Sequence, residues 1–232
     1  MRNRAAVIVV ILFSWLTSFP LVGANDCLAL LTANVVKTLG NQAAPVFRIA
    51  SNDGPVSAGL AAALRSREDG PFRVKQILDN FGEDTAKDIF GLLDRVKDVP
   101  RFGDFVVNLA KQDLDAKGAA ATLRWATSRM DRTQIGQFEF PVPSAVADLL
   151  DAAGNLLEFK SLSLETYSDF VAKIELEKVR NQLLHFEAYA RDAGKTVTLV
   201  FENPVPAAHK ALFDSLFGEI LNRGTVTFVN GF

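Results

Sequence analysis

Asp148-Leu-Leu-Asp-Ala-Ala-Gly-Asn-Leu-Leu-Glu-Phe-Lys160 reads as two short strands joined by a turn. Apolar residues fill both arms, and Asp151-Ala-Ala-Gly154-Asn155 supplies the turn residues between them. Side chains alternate across a strand, so Glu158 and Lys160 point one way while Phe159 points into a core. Asp148 lies in an otherwise apolar strand, where a carboxylate needs a partner to offset its loss of water. Two carboxylates converging from a hairpin, with a lysine beside them, suit a hard divalent cation such as Mg²⁺ or Mn²⁺. The lysine can orient an attacking water and face the charge that develops on a phosphate. Alternation alone also permits a plainer reading, a solvent-facing charged row on a half-buried strand.

Working outward, the chain on the C-terminal side predicts a mixed α/β sheet. Phe138 to Val142 is a candidate strand that Pro141 and Pro143 confine to an edge. Strands are expected over 146–150 and 156–162. A long helix then runs over about 164–191, with Tyr167, Phe170, Val171, Ile174, Val179, Leu183, Phe186 and Ala190 on one broad face. A break near Glu175 would split it in two. Gly194 stops it, and Thr196-Val-Thr-Leu-Val-Phe-Glu202 reads as a buried strand. A helix carrying Ala208, Leu212, Leu216, Phe217 and Ile220 and a last strand, Thr225-Val-Thr-Phe-Val229, complete the order. Strands alternating with helices imply parallel crossovers at this end, after an antiparallel hairpin.

Upstream, from Asn25 to about Met130, the apolar spacing is helical. A first helix, capped by Asn25 or Asp26, ends at Gly40, and a loop holds Pro45 and Asn52-Asp53-Gly54-Pro55. Further helices are expected over 56–67, 72–81, 83–97, 102–117 and 119–130, separated by Asp69-Gly70-Pro71 and Pro100. This half either packs on the sheet or stands apart as its own domain. The resulting division is a leader over 1–24, a helical region over 25–132 and an α/β region over 133–232.

The leader is a compositional signal. Arg2 and Arg4 precede an apolar run over 5–16, and Val22-Gly23-Ala24 offers a small-residue exit. That pattern predicts a cleaved secretory signal ending at Ala24 and a secreted or periplasmic protein with no stable membrane insertion afterwards. The rival, an uncleaved anchor, is disfavoured because the run is short for about 30 Å of hydrocarbon and Pro20 follows it. Cys27 is the single cysteine, so no intramolecular disulfide forms, and it is expected to be a buried or near-terminal thiol. The 232 residues carry a net charge of −2. Loss of Arg2 and Arg4 leaves 23 basic residues against 27 acidic, or −4. No global basic field announces nucleic acid or anionic lipid, which leaves a locally positive groove as the route to such a ligand.

Asp148, nine intervening residues, then Glu158-Phe159-Lys160, followed by a helix and a strand, resembles the PD-(D/E)xK nuclease superfamily over 133–229. The helix, Gly194-Lys-Thr196, strand, helix and last strand are similar to nuclease domains of secreted bacterial toxins. The resemblance implies a restriction-endonuclease-like fold and a metal-dependent hydrolase of phosphodiester bonds in DNA or RNA. It implies that Asp148 and Glu158 bind Mg²⁺ or Mn²⁺, that Lys160 assists the attacking water, and that Gln182 on the following helix supports the site. A toxin or effector of this kind implies a cognate immunity or inhibitor protein as a partner. A catalytically inactive module of the same fold, binding a protein or nucleic acid, is the alternative. Ala147 stands where the family's motif has proline. Asp151 is a second candidate for the first acid, set aside because it falls in the turn, and Glu139 could add an upstream acid. His185 lies one turn from Gln182, whereas His209 has no acids at ligand spacing. Arg124, Arg129, Arg132, Lys173, Lys178 and Arg180 either form a basic rim or belong to ordinary solvated faces. No Gly-x-Ser-x-Gly turn or glycine-rich phosphate loop is present.

Overall fold

The computed structural model describes residues 25–51, 54–112 and 114–232, with side chains described from Thr32 onward except that of Leu114. The expected leader over 1–24 and the Cys27 side chain lie outside that set. The helical half comprises α1 (Asn25–Leu39), a 3₁₀ turn (Gly40–Ala43), α2 (Ala44–Ala50), α3 (Pro55–Arg65), α4 (Gly70–Asp94), α5 (Phe102–Ala110) and α6 (Leu114–Arg129). No helix among the described residues is long and apolar enough to cross a membrane.

Two boundaries differ from the sequence expectation. Pro45 does not sit in a loop; it occupies the first turn of α2, where a missing N–H costs nothing. The helix expected over 102–117 ends instead at Ala110, and Lys111 turns to an extended conformation (φ −64°, ψ 169°). The Asn80 side-chain amide, from α4, donates to the carbonyls of Leu109 (3.4 Å) and Lys111, taking up acceptors that a continuing helix would have used. Local spacing carries no trace of a cap supplied from 31 residues away. The expected boundary near Gly82 is present as a kink within α4, at φ 75° and ψ 166°.

Five strands follow: β1 (Ile135–Val142), β2 (Ala145–Asp151), β3 (Leu156–Lys160), β4 (Val197–Phe201) and β5 (Val226–Asn230). They form one sheet in sequential order. β1, β2 and β3 are antiparallel neighbours, while β3, β4 and β5 run parallel. The long crossover is α7 (Asp169–Ala193), and α8 (Ala207–Asn222) links β4 to β5. Pro141 is accommodated because β1 is an edge strand.

The sheet is covered on both faces. Leu157 and Phe159 of β3, with Phe138, Leu149 and Val200, join the buried core of α1–α6. Leu156, Val197, Leu199, Phe201 and Val226 join the core beneath α7 and α8. The helical half therefore packs on the sheet, and Trp125 of α6 meets Phe159 edge-on, with ring centroids 5.2 Å apart. Phe138 and Phe140 serve opposite faces although two residues apart, since Phe140 packs on Tyr189 of α7. Glu139 between them has φ 50°, a left-handed conformation that breaks the normal alternation.

α7 corrects the expectation in three respects. It begins at Asp169, capped by Ser168, after a 3₁₀ turn over Leu164–Thr166. It runs unbroken through Glu175 to the left-handed Gly194. Its apolar face is narrower than the spacing suggested: Ala172, Leu176, Val179, Leu183, Phe186 and Ala190 are buried, whereas Phe170, Val171 and Ile174 are exposed.

Candidate active site at the fork of strands β2 and β3

The β2–β3 ladder is short, pairing only Leu149 with Leu157 and Leu150 with Leu156. Beyond it the strands part, and carboxylates bridge the gap. The Phe159 N–H donates to Asp148 Oδ2 at 2.7 Å, and the Asp148 N–H donates to Glu158 Oε2 at 3.3 Å. Each acid thus satisfies a backbone donor of the opposite strand that would otherwise be buried without a partner. The fork positions both carboxyls side by side, although Glu158 and Asp148 come from different strands.

Lys160 lies on the same face of β3 as Glu158, as alternation requires. Its Nζ donates to Glu158 Oε1 at 2.5 Å and to Gln182 Oε1, from α7, at 2.8 Å. Asp148, Glu158, Lys160 and Gln182 are therefore one hydrogen-bonded group. Asp151 is not part of it. Its carboxylate accepts from the Asn155 backbone (2.8 Å) and side chain (3.0 Å), closing the β2–β3 turn.

Burial governs the charges. It pushes the Glu158 carboxyl up to about 8, with the neighbouring Asp148 adding to the rise and Lys160 opposing it. Asp148 is raised as well, by burial, against the pull of Lys160 and the Phe159 N–H. For Lys160, burial favours the neutral amine, but Glu158 and Asp148 outweigh it and hold the ammonium above its usual range. Burial thus favours the protonated form of both carboxyls, and the Lys160 ammonium opposes it.

Asp148 and Lys160 open into a cleft of about 460 Å³ between the two helical layers. Asn108, Lys111, Asp115 and Gly118 form one wall, and Glu175, Lys178, Val179 and Gln182 of α7 form the other. Glu139, offered by the sequence as a further upstream acid, is buried and lines this cleft. Burial and the nearby Asp148 push its carboxyl up to about 7, while a hydrogen bond with Asn108 pulls the other way. Lys111 and Asp115, 3.3 Å apart, were not singled out from the sequence, because no local pattern signals that α5 and α6 meet the fork.

The basic rim is smaller than its sequence count. Arg124 is paired with Glu202, Arg180 donates to the Leu216 carbonyl at 3.0 Å, and Arg132 donates to the Ile135 carbonyl at 3.3 Å. Of the six basic residues expected at the rim, Lys178 alone lines the cleft, and Lys173 lies exposed on the same helix. His185 is exposed and outside the cleft, and His209 is buried with Nε2 at 3.2 Å from the Tyr167 carbonyl oxygen.

Among the described residues, no group of three or more His, Cys, Asp or Glu side chains converges as a ready-made metal cage. The protein donors at the fork are Asp148 and Glu158. One or two carboxylates, completed by waters and substrate phosphate oxygens, is the donor set that Mg²⁺ takes in phosphoryl-transfer sites. The pair therefore fits Mg²⁺ or Mn²⁺ and does not fit a structural zinc site. Compared with family models, with curated proteins and with solved structures, the chain matches none.

Proposed function

We propose that the chain is an exported, metal-dependent nuclease of the restriction-endonuclease-like type, hydrolysing phosphodiester bonds in DNA or RNA. The observation that carries this reading is the convergence of Asp148, Glu158, Lys160 and Gln182 at a strand fork that opens into a cleft. Three antiparallel strands, a crossover helix and a parallel strand, in that order, agree with the resemblance first read from the spacing of Asp148 and Glu158-x-Lys160.

Asp148 and Glu158 would hold Mg²⁺ or Mn²⁺, which when bound supplies a Lewis acid that polarises the phosphate and stabilises the leaving oxygen. The rest falls to the chain. Lys160, oriented by Gln182, holds a water by hydrogen bond and faces the negative charge that grows on the phosphate. The water oxygen bonds to phosphorus as the ester oxygen departs, and a proton passes to the leaving group. Glu158 is buried, and its low-dielectric surroundings strengthen the charge interactions it makes.

Degradation of plasmid DNA and of RNA, with Mg²⁺, Mn²⁺ or EDTA, tests the reading. Cleavage should require the cation, and Lys160→Ala should lower it by about a hundredfold or more while circular dichroism shows a folded chain. Cleavage that persists in both Glu158→Ala and Lys160→Ala would remove these residues from the reaction. N-terminal sequencing of exported protein tests the leader, with Asn25 expected as the first residue.

A further inference from the structure

β3 ends at Lys160, which faces Phe201, the last residue of β4. The ladder stops there. Ser161 and Leu162 follow outside any helix or strand, yet both line the cleft. The lysine thus stands at the loose end of a strand, with a flexible four-carbon stem between its backbone and its ammonium. Glu158 and Gln182 hold the ammonium at the tip. The root needs a hold as well, because a displacement of about 1 Å at a reacting group costs about a hundredfold in rate.

Residues just past β4 supply it. The Glu202 N–H donates to the Lys160 carbonyl at 2.9 Å, and Ser161 Oγ donates to Glu202 Oε2. Asn203 Nδ2 donates to the Leu162 carbonyl at 3.1 Å. The other carboxyl oxygen of Glu202 accepts from Arg124, on α6 in the helical half. Arg124 is exposed, so this pair adds little to stability. Its effect is directional: with one oxygen taken by the guanidinium, the carboxylate presents the other to Ser161. A hydroxyl bonded to an ionised carboxylate makes a charge-assisted contact, about twice as strong as a neutral one. Glu202 itself lines a separate depression of about 380 Å³, beside Arg124, Thr127 and Phe232. It reaches the chemistry only through the strand end that it grips.

We infer that Glu202 is a positioning residue for Lys160: with Ser161 it fixes the root of the lysine at the end of β3, while Gln182 and Glu158 fix the tip. What the lysine does rests on the nuclease reading. How it is held does not, so the two can fail separately.

Nuclear magnetic resonance of the isotope-labelled full chain tests the hold directly. The Lys160 ammonium signal, identified by its loss in Lys160→Arg, should be rigid in the wild type. In Ser161→Ala and in Glu202→Ala its order parameter should fall below about 0.6, whereas Ser161→Thr, which keeps the hydroxyl, should keep it rigid. An ammonium equally rigid in both alanine variants, even with the backbone at 161–162 loosened, makes Glu202 a tether of the loop alone and overturns the inference. Cleavage assays read the same contact. Each alanine variant should lower kcat about tenfold with KM within about twofold, and the double variant should do no more, since the same bond is lost in each case. Multiplicative losses, or a change in KM alone, overturn it too. If the ammonium loosens but the wild type cleaves neither DNA nor RNA, the nuclease reading falls and the hold on Lys160 stands. If the wild type cleaves and both variants match its kcat, the nuclease reading stands without Glu202.

Discussion

At the scale of single residues, the fork is an energetic compromise between binding chemistry and burial. Glu158 ionises near 4.5 when exposed to solvent in the unfolded chain and near 8 when folded. Above about pH 4.5 the unfolded chain releases a proton that the folded chain keeps, so stability falls as pH rises through this window toward 8. Glu139, pushed up to about 7, acts in the same direction up to that point. The metal-free protein should therefore melt at a lower temperature at pH 8 than at pH 5, and Glu158→Gln should flatten the difference. Mg²⁺ should raise the melting temperature more at pH 8, where it competes with fewer protons. A metal-free protein that melts higher at pH 8 than at pH 5 contradicts this account. Gln182→Ala removes one of the two acceptors that hold Lys160. It should lower kcat by about tenfold with KM little changed, the mark of a positioning loss. Much of this group was legible in the sequence, because a buried acid, a Glu-x-Lys pair and a glutamine on the next helix obey simple periodicities. The sequence could name Glu139 as a further acid but could not place it, because its backbone is left-handed and alternation does not foresee that.

At the scale of elements, strand and helix order was readable while termini and faces were not. Turn residues at 151–155 and Gly194 mark their boundaries by local chemistry. The end of α5 is set by Asn80 from another helix, and the apolar first turns of α7 read as core although they face solvent. Apolar spacing says that a face exists, and says nothing of whether anything covers it. Close approach between elements gives a sharper test. A Cβ built on Gly59 of α3 would lie 1.8 Å from the Phe90 carbonyl oxygen of α4. Gly59→Ala must force these helices apart, and should destabilise by about 1–3 kcal/mol or more in chemical denaturation. Gly91→Ala, whose Cβ would meet only a Val56 methyl at 3.7 Å, should be neutral or stabilising by up to about 1 kcal/mol. Equal effects of the two substitutions would show that the α3–α4 approach is not under this constraint.

At the scale of the whole molecule, the sequence left open whether the helical half stands apart, because amphipathic helices pack as readily on each other as on a sheet. The shared core answers it, with Phe138, Leu149, Leu157, Phe159 and Val200 buried beneath α1–α6. The two halves should consequently unfold together. Trp125 reports the seam through Phe159, and in a chain prepared without residues 1–24 it would be the sole tryptophan. Its fluorescence and the far-ultraviolet circular dichroism should give superimposable melting curves, whereas separated curves would mean that the halves melt independently. The seam has a further consequence. One bank of the cleft comes from 108–119 and the other from 139–182, so neither bank alone encloses anything. An unfolded chain carries every side chain of the fork and no working arrangement of them. Whatever the cleft does begins only once both halves have packed together, so function and folding share one cooperative step.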